Sequence, residues 1–188
     1  MSRRYTDLTF TEGVKSVQQR YGVRAHGERV ENLPVDDCRL GERETSFIAA
    51  RDSFYMASVG ENGWPYVQFR GGPPGFLKVL DPRTLAYADF RGNLQYISVG
   101  NFEKNDRVAL ILMDYPARQR LKVLARAEVH EAKEHPDLIE RLRDPDYPAR
   151  VERAMVLHVE AFDWNCHQHI TPRYTAAEYE DRGGGDER

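Results

Sequence analysis

Residues 54–70, FYMASVGENGWPYVQFR, decide the fold class of this chain. The runs FYMASV and WPYVQFR are rich in aromatic and β-branched residues, which favour extended strands. Between them stands the segment ENG, a combination typical of tight turns. The stretch therefore predicts a β-hairpin.

Further extended runs follow this hairpin. FLKVLD (76–81) and TLAYAD (84–89) flank a turn that contains proline. RVALILMD (107–114) is a continuous apolar run, RLKVLARAEVHEA (120–132) alternates with period two, and RAMVLHVEAFDWN (153–165) is a last strand. Six or seven strands with few helices between them predict a mainly β protein, an antiparallel barrel or sandwich with peripheral helices, and disfavour a doubly wound sheet.

Helical spacing predicts a few helices around these strands. Apolar residues lie on one side of residues 11–22 and 41–53, and residues 135–144 are a short amphipathic segment. Residues 90–101 read as a loop that enters a short helix. Residues 23–40 are predicted to be a polar connection.

Length and composition favour one domain, because 188 residues of which 40% are hydrophobic can build one core. We divide the chain into an N-terminal helix and connection (1–40), a barrel domain (41–175) and a flexible C-terminal tail (176–188). The tail prediction rests on EDRGGGDER, whose glycines and charges bury nothing.

Charge and hydropathy exclude several classes of function. With 27 Lys and Arg against 30 Asp and Glu, the net charge is −3, which argues against nucleic-acid binding. The longest apolar run, residues 108–113, is far shorter than a membrane span, and the first residues do not read as a signal peptide. We therefore expect a cytoplasmic protein that binds no membrane, with reduced thiols at Cys38 and Cys166.

Motif searches favour neither a hydrolase nor a metal site. The phosphate-binding patterns GxGxxG and GxxxxGK[ST] and the nucleophile pattern GxSxG are absent. The cluster Cys166, His167 and His169 contains metal-ligand types, but in a continued strand Cys166 would face away from both histidines. The simpler reading is a set of polar residues that closes a loop, and we predict no metal.

Three segments carry side chains suited to a ligand. Arg70 ends an extended run and precedes two glycines and two prolines, so a guanidinium stands beside open backbone, which suits an anion or a ring edge. A surface arginine before an ordinary turn is the alternative.

The second segment is FRGNLQYIS (90–98). Asn93 can cap the following helix, whose free amides favour a phosphate, and Arg91, Gln95 and Ser98 add donors. The alternative is that Asn93 only caps and Arg91 is only solvated.

The third segment is DWNCHQHITPRYT (163–175). Trp164 offers a flat aromatic face. Asn165 and Gln168 offer amides that can form hydrogen bonds with the carbonyls and ring nitrogens of a heterocycle. Trp164 as a plain core residue is the alternative.

In this order along the chain, the segments resemble the pyridoxamine 5′-phosphate oxidase-like, FMN-binding split-barrel superfamily, over residues 40–175. The resemblance is carried by WPYVQFRGGPPGFLKVLD, YADFRGNLQYISVGN, NDRVALILMDYPARQRLKVLARAEV and DWNCHQHITPRYT. It implies an antiparallel six-stranded FMN-binding split barrel. It also implies a homodimer with one FMN at each of two sites between the subunits.

The resemblance assigns cofactor contacts residue by residue. Two strands would line the flavin ring and its ribityl chain, through Gln68, Phe69, Arg70, Ala88, Asp89 and Phe90. The phosphate would be surrounded by Arg91, Asn93, Gln95 and Ser98. Contacts across the dimer would come from Arg120, Leu121, Trp164, Asn165 and Gln168.

Two departures from the family pattern stand out. Relatives often carry a basic residue where this chain has Leu94, so phosphate binding would depend more on Arg70 and Arg91. True pyridoxamine phosphate oxidases end with an Arg-x-His element that binds the vitamin at its phosphate and reacting carbon. This chain has NCHQHITPR instead. The resemblance therefore does not extend to oxidation of vitamin B6 phosphate.

A flavin supplies its own redox chemistry, so the lack of a catalytic triad does not count against an enzyme. The resemblance implies an FMN-dependent oxidoreductase that transfers hydride between FMN and an unknown small molecule or a nicotinamide reductant. It identifies no catalytic side chain. A flavin-binding carrier or sensor is the alternative. A protein that uses haem or deazaflavin is a further one, and a haem would need an axial ligand such as His158, His167 or His169.

Overall fold

The structure is a computed structural model that describes residues 2–35, 37–164 and 167–182. In chain order, the helices and strands of these residues are α1 (Arg3–Thr9), α2 (Glu12–Arg20), α3 (Arg24–Glu31), α4 (Glu42–Ala49), β1 (Ser53–Val59), β2 (Pro65–Gly71), β3 (Lys78–Asp81), β4 (Thr84–Phe90), α5 (Ile97–Phe102), β5 (Arg107–Asp114), β6 (Gln119–Glu131), α6 (Pro136–Leu142), β7 (Val151–Trp164) and α7 (Ala176–Asp181).

The strands in the described part of the chain form one seven-stranded sheet in the order β2-β1-β5-β6-β7-β4-β3. All neighbouring pairs are antiparallel, which confirms the mainly β, antiparallel prediction. The β1–β2 hairpin pairs Ser53 with Gly71 and Val59 with Pro65, as the opening stretch predicted. The resemblance implied six strands, and the structure has one more, because the four residues of β3 pair with β4.

The sheet curls until its two ends approach each other around one core. Phe54 on β1 and Tyr87 on β4 are far apart in strand order, yet their rings are 5.3 Å apart. Phe76, just before β3, stacks on Phe54 at 5.6 Å. Alternate residues of every long strand point into this core, and Leu112, Leu121 and Leu157 in it are fully buried.

Two backbone edges remain open where the curled sheet fails to close. β2 is an end strand that pairs with β1 alone. On β4, the pairing with β3 stops at Ala86, so within the described residues the backbone of residues 88–90 is paired only on its β7 side. Such a gap between two edges leaves backbone donors and acceptors available to a ligand.

The N-terminal segment contains three helices where the sequence predicted one. Residues 12–20 form α2 as expected, but residues 24–31, predicted to be connection, form α3. Few apolar residues mark α3, and it is held instead by polar contacts such as that of Arg24 with Gln18. A Cβ on Gly27 would lie 2.7 Å from the Gln18 side chain, so a glycine permits this close approach.

Other helices match their predicted segments, and the C-terminal segment differs. Helices α4 and α6 lie within residues 41–53 and 135–144. Residues 176–181, which the sequence assigned to a flexible tail, form α7, because Thr175 and Glu178 make a reciprocal capping box that the sequence analysis overlooked. No helix in the described ranges is both long and apolar enough to cross a membrane.

Candidate functional site

A groove lies between the edge of β2 and the end of β4, and two adjoining cavities of about 180 and 240 Å³ form it. Arg70 on β2 and Asp89 on β4 line both cavities and bridge the gap between the two edges. Most residues that the resemblance assigned to a cofactor on these strands and on the following loop border the groove. They are Gln68, Phe69, Arg70, Ala88, Asp89, Phe90, Arg91, Asn93, Gln95 and Ser98.

The floor of the groove is an ion-paired triad. Asp89, whose side chain is 4% exposed, accepts a hydrogen bond from Arg70 Nη1 at 2.9 Å through Oδ1 and one from Arg153 Nε at 3.0 Å through Oδ2. Glu152 pairs with the same Arg153, so the two carboxylates balance these two guanidiniums. The excess positive charge of the site comes from a third guanidinium, that of Arg91 at the rim.

Glu152 extends the network towards the rim. It pairs with Arg153 Nη2 at 2.8 Å, and Arg91 Nε lies 3.8 Å from it. The Tyr96 hydroxyl also donates to Glu152 at 3.3 Å, while the Arg153 guanidinium lies 4.8 Å from the centre of the Tyr96 ring. These contacts fix the orientation of Arg153 on one side of the groove.

One buried donor at this site has no protein partner. Arg70 Nε is buried and makes no hydrogen bond, although Asp89 binds another nitrogen of the same guanidinium. Unpaired buried donors cost free energy and are uncommon in folded proteins. A ligand acceptor in the groove would satisfy this nitrogen, which makes Arg70 the clearest sign of a binding site.

The loop after β4 has a special backbone. Leu94 and Tyr96 both adopt left-handed conformations, with φ of 64° and 51°. Such conformations are disfavoured for residues with side chains and tend to occur at functional sites. They turn the chain sharply, so that residues 92–98 form one wall of the first cavity.

The predicted capping role of Asn93 is wrong. Helix α5 begins only at Ile97, Tyr96 is its N-cap residue, and no side chain caps it. Asn93 Oδ1 instead accepts a hydrogen bond from the Gln95 amide at 3.2 Å and so stabilises the loop. The left-handed residues account for the shift, since they end the loop three residues later than the capping pattern predicted.

The side chains of β2 alternate between the groove and the outer surface. Gln68 faces the groove, where the Tyr66 hydroxyl donates to its Oε1. Phe69 borders the second cavity, but its ring packs at 5.5 Å against Tyr55 on the outer face. The period of two along a strand therefore separates these two neighbouring predicted residues.

Tyr87 lies beneath the second cavity and is fully buried. Burial raises the pKa of its hydroxyl well above the usual range, although the nearby positive charge of Arg70 acts in the opposite direction. The phenol therefore stays protonated at neutral pH, and its contact with Met56 Sδ at 3.9 Å indicates a packing role.

The other predicted site residues do not border this groove. Arg120 and Leu121 lie at the start of β6, where Leu121 is buried and pairs with Trp164. Trp164 Nε1 donates to Glu44 at 2.7 Å, and the indole packs against Phe47. Gln168 is exposed, and Asn165 lies outside the described residues.

Sequence reasoning missed Arg153, Tyr66 and Tyr96, which all line the first cavity. One signal was available for Arg153, because it is the charged residue that begins the apolar run of the last strand. Its register partner is Asp89, and only the β4–β7 pairing brings the two together.

The three histidines considered as haem ligands, His158, His167 and His169, do not line the groove. His158 is half exposed, and its Nε2 is 3.0 Å from Glu128 Oε2, a contact that lowers the pKa of Glu128. His167 and His169 are exposed, and Cys166 is not among the described residues. Within the described ranges, no three His, Cys, Asp or Glu residues form a group that could hold a metal ion.

Comparisons with known proteins agree with this fold. A candidate pyridoxamine 5′-phosphate oxidase from Lactobacillus delbrueckii has 25% identity and a TM-score of 0.52, over 68% of this chain and 96% of that one. HupZ from Group A Streptococcus has the same fold at 14% identity and a TM-score of 0.51, over 72% of this chain and 99% of that one. No curated protein matches the chain. The sequence model of the family described as pyridoxamine 5′-phosphate oxidase matches residues 40–164, so the chain belongs to that family.

Proposed function

We propose that this protein binds FMN in the groove between β2 and β4 and transfers hydride between that flavin and a small molecule. The observation that carries the proposal is Arg70, whose buried Nε has no partner and whose guanidinium is held by Asp89 at the floor of the groove. Family membership supports the choice of a flavin phosphate over other anions.

The residues of the groove fit such a cofactor. The site has three guanidiniums against two carboxylates, which suits an anionic phosphate or an electron-rich ring edge. The guanidiniums are those of Arg70, Arg91 and Arg153, and the carboxylates are those of Asp89 and Glu152. The open backbone of residues 88–90 supplies donors and acceptors for a pyrimidine-like edge. A bound flavin would supply the redox chemistry, so these residues need only bind, orient and exclude water.

The proposal includes a homodimer, because one outer surface of the sheet is apolar and exposed. We call this surface the apolar face. Its members are Tyr55, Ala57, Val67, Phe69, Ala109 and Ile111. Val67 is 62% exposed and Phe69 is 54% exposed, and an apolar cavity of about 210 Å³ lies in the same surface. Contiguous exposed apolar surface of this kind favours association.

A second copy would also account for the predicted contacts that do not border the groove. Arg120, Trp164 and Gln168 lie outside it within one chain, and they would reach the groove of the partner subunit. Arg120 Nε is buried without a hydrogen-bond partner, as Arg70 Nε is. A ligand that bridges two subunits would give both nitrogens an acceptor.

An absorption spectrum followed by FMN titration tests the proposal. We expect two visible flavin bands and saturable binding. Anaerobic addition of NADH or NADPH should bleach these bands as the flavin is reduced, and admission of oxygen, which accepts the electrons, should restore them. FMN binding without turnover would favour the alternative of a flavin carrier or sensor, and a single intense Soret band would favour haem. A colourless protein that takes up no FMN would refute the cofactor assignment.

Replacing Arg70 by methionine is expected to weaken FMN binding at least about 30-fold, since removal of one member of a desolvated charge pair costs about 2 kcal/mol or more. Quenching of flavin fluorescence measures the dissociation constant. Arg107→Met, an exposed arginine at the start of β5, is the matched control and should bind FMN like the unchanged protein. Equal affinities for the two variants would contradict the role of Arg70.

Leu94→Arg is expected to tighten FMN binding by about tenfold, because a charge-assisted hydrogen bond to a phosphate is worth about 1.5 kcal/mol. Leu94 is 48% exposed and lines the first cavity, so the longer side chain has room. Leu94→Gln, a polar side chain without a charge, should change the affinity little. The same titration measures both, and an equal gain from glutamine would argue against a phosphate near this loop.

A further inference from the structure

A third cavity, of about 590 Å³, lies next to the proposed cofactor groove. It is formed between the tip of the β1–β2 hairpin and helix α5. Its lining combines flat apolar side chains with amides and one exposed carboxylate, that of Glu61. The residues that matter for its chemistry are Trp64, Pro65, Tyr66, Ile97 and Asn101.

Trp64 presents an open aromatic face to this cavity. Its side chain is 74% exposed, which is unusual for so large an apolar group. Its backbone is nevertheless well held, since Gly60 N donates to Trp64 O at 2.9 Å and the Trp64 amide donates to Asn62 Oδ1 at 3.2 Å. An exposed indole on a well-held backbone is a platform on which a planar ring can stack.

Asn101 adds a polar group with a defined orientation. It is 9% exposed, and its Nδ2 donates to the buried Ser58 hydroxyl at 2.9 Å. This bond fixes which way the amide faces, so its oxygen is directed towards Gly60 at the cavity. A stacking face beside a fixed amide is an arrangement that suits a heteroaromatic base.

The third cavity is continuous with the proposed cofactor groove. Tyr66 and Ile97 line both, and Trp64, Tyr66, Gln68 and Arg70 follow one another on the same face along the hairpin. Arg70 is six residue steps from Trp64 along the extended chain, a span of about 20 Å. A ligand with a ring at each end of an anionic linker would reach from the indole to the groove.

We propose that the third cavity binds the purine base of a dinucleotide reductant, whose other end lies in the groove. This inference rests on the proposed function, because the dinucleotide would reduce the cofactor bound there. The base would stack on Trp64, and Asn101 would accept a hydrogen bond from its edge.

Tryptophan fluorescence tests the inference directly, because the chain has two tryptophans and Trp164→Phe leaves Trp64 as the reporter. Adenosine 5′-monophosphate is the probe, and ribose 5-phosphate, which lacks the base, is the matched control. We expect saturable quenching by the nucleotide alone. Trp64→Leu in the otherwise unchanged protein should weaken binding of the nucleotide about tenfold or more, and Trp64→Phe should retain most of it.

Three results would overturn the inference: no saturable quenching, equal quenching by ribose 5-phosphate, or protection of Trp64 from acrylamide in the free protein, which would mean that another subunit covers it. If Trp164→Phe does not fold, the comparison of the unchanged protein with Trp64→Leu gives the same answer. An FMN titration of Trp64→Leu separates the two proposals. Normal FMN binding without nucleotide binding refutes only the third cavity, whereas failure of the unchanged protein to bind FMN refutes the proposed function.

Discussion

Asp89→Asn is expected to lower the free energy of unfolding by about 3 kcal/mol, because removing one partner from a buried ion pair leaves uncompensated charge. The carboxylate is 4% exposed and contacts two guanidiniums, at 2.9 and 3.0 Å. Asparagine has nearly the same shape, so the loss would measure charge and hydrogen bonding rather than packing. Urea denaturation followed by circular dichroism gives the free energy.

The control for this variant is Asp106→Asn. Asp106 also accepts a hydrogen bond from an arginine at 2.9 Å, but the side chains of Asp106 and Arg126 are 41% and 49% exposed. Exposed pairs contribute about 0–1 kcal/mol, so this variant should remain close to the unchanged protein. Similar losses in the two variants would show that burial of the triad does not matter.

Asp89→Asn should also weaken FMN binding, since Arg70 would lose the carboxylate that holds its guanidinium in place.

Val67→Lys is expected to raise the dissociation constant of the dimer at least about 100-fold, because an unpaired ammonium buried in an interface costs several kcal/mol. Val67 lies on the β2 side of the apolar face, opposite Ala57 on β1 and close to exposed Tyr55. In the free chain the lysine would point into water, so the fold should tolerate it. Sedimentation velocity at several concentrations measures the dimer, and melting temperature checks the fold.

Val67→Thr is the matched control, because threonine keeps the branched shape and the strand propensity without a charge. It should remain a dimer at concentrations at which Val67→Lys is a monomer. FMN affinity should fall together with dimerisation if the partner subunit completes the groove. A monomeric unchanged protein would refute the dimer, and a dimeric Val67→Lys would mean that the interface lies on another surface.

Local patterns predicted most of the strands and several helices of this protein. The period of two in residues 120–132 and the turn chemistry of the ENG segment act between neighbours in the chain, so the sequence alone reveals them. The sequence did not predict helix α3, because contacts that stabilise it, such as that of Arg24 with Gln18, are made with another helix. The capping box of α7 was visible in the sequence and was overlooked.

For the candidate site too, the sequence predicts some features and leaves others undetermined. Arg70 beside its glycines and prolines, the polar loop after β4 and the departure at Leu94 can all be recognised in the sequence. The partners of those residues cannot, because Asp89 joins Arg70 to Arg153 across 19 and 64 positions of chain. The sequence also does not show that Asn93 stabilises the loop and not the helix, because this depends on the left-handed backbone at Leu94 and Tyr96.

By itself, therefore, the sequence determined the antiparallel strand pattern, the hairpin turns and the residue types that border the groove, since these depend on alternation and local backbone preference. The tertiary structure decided which edges of the sheet stay open, which arginines share Asp89 and which apolar side chains of β2 remain uncovered. Those features arise from the curling of the sheet, which brings together residues that no local pattern relates.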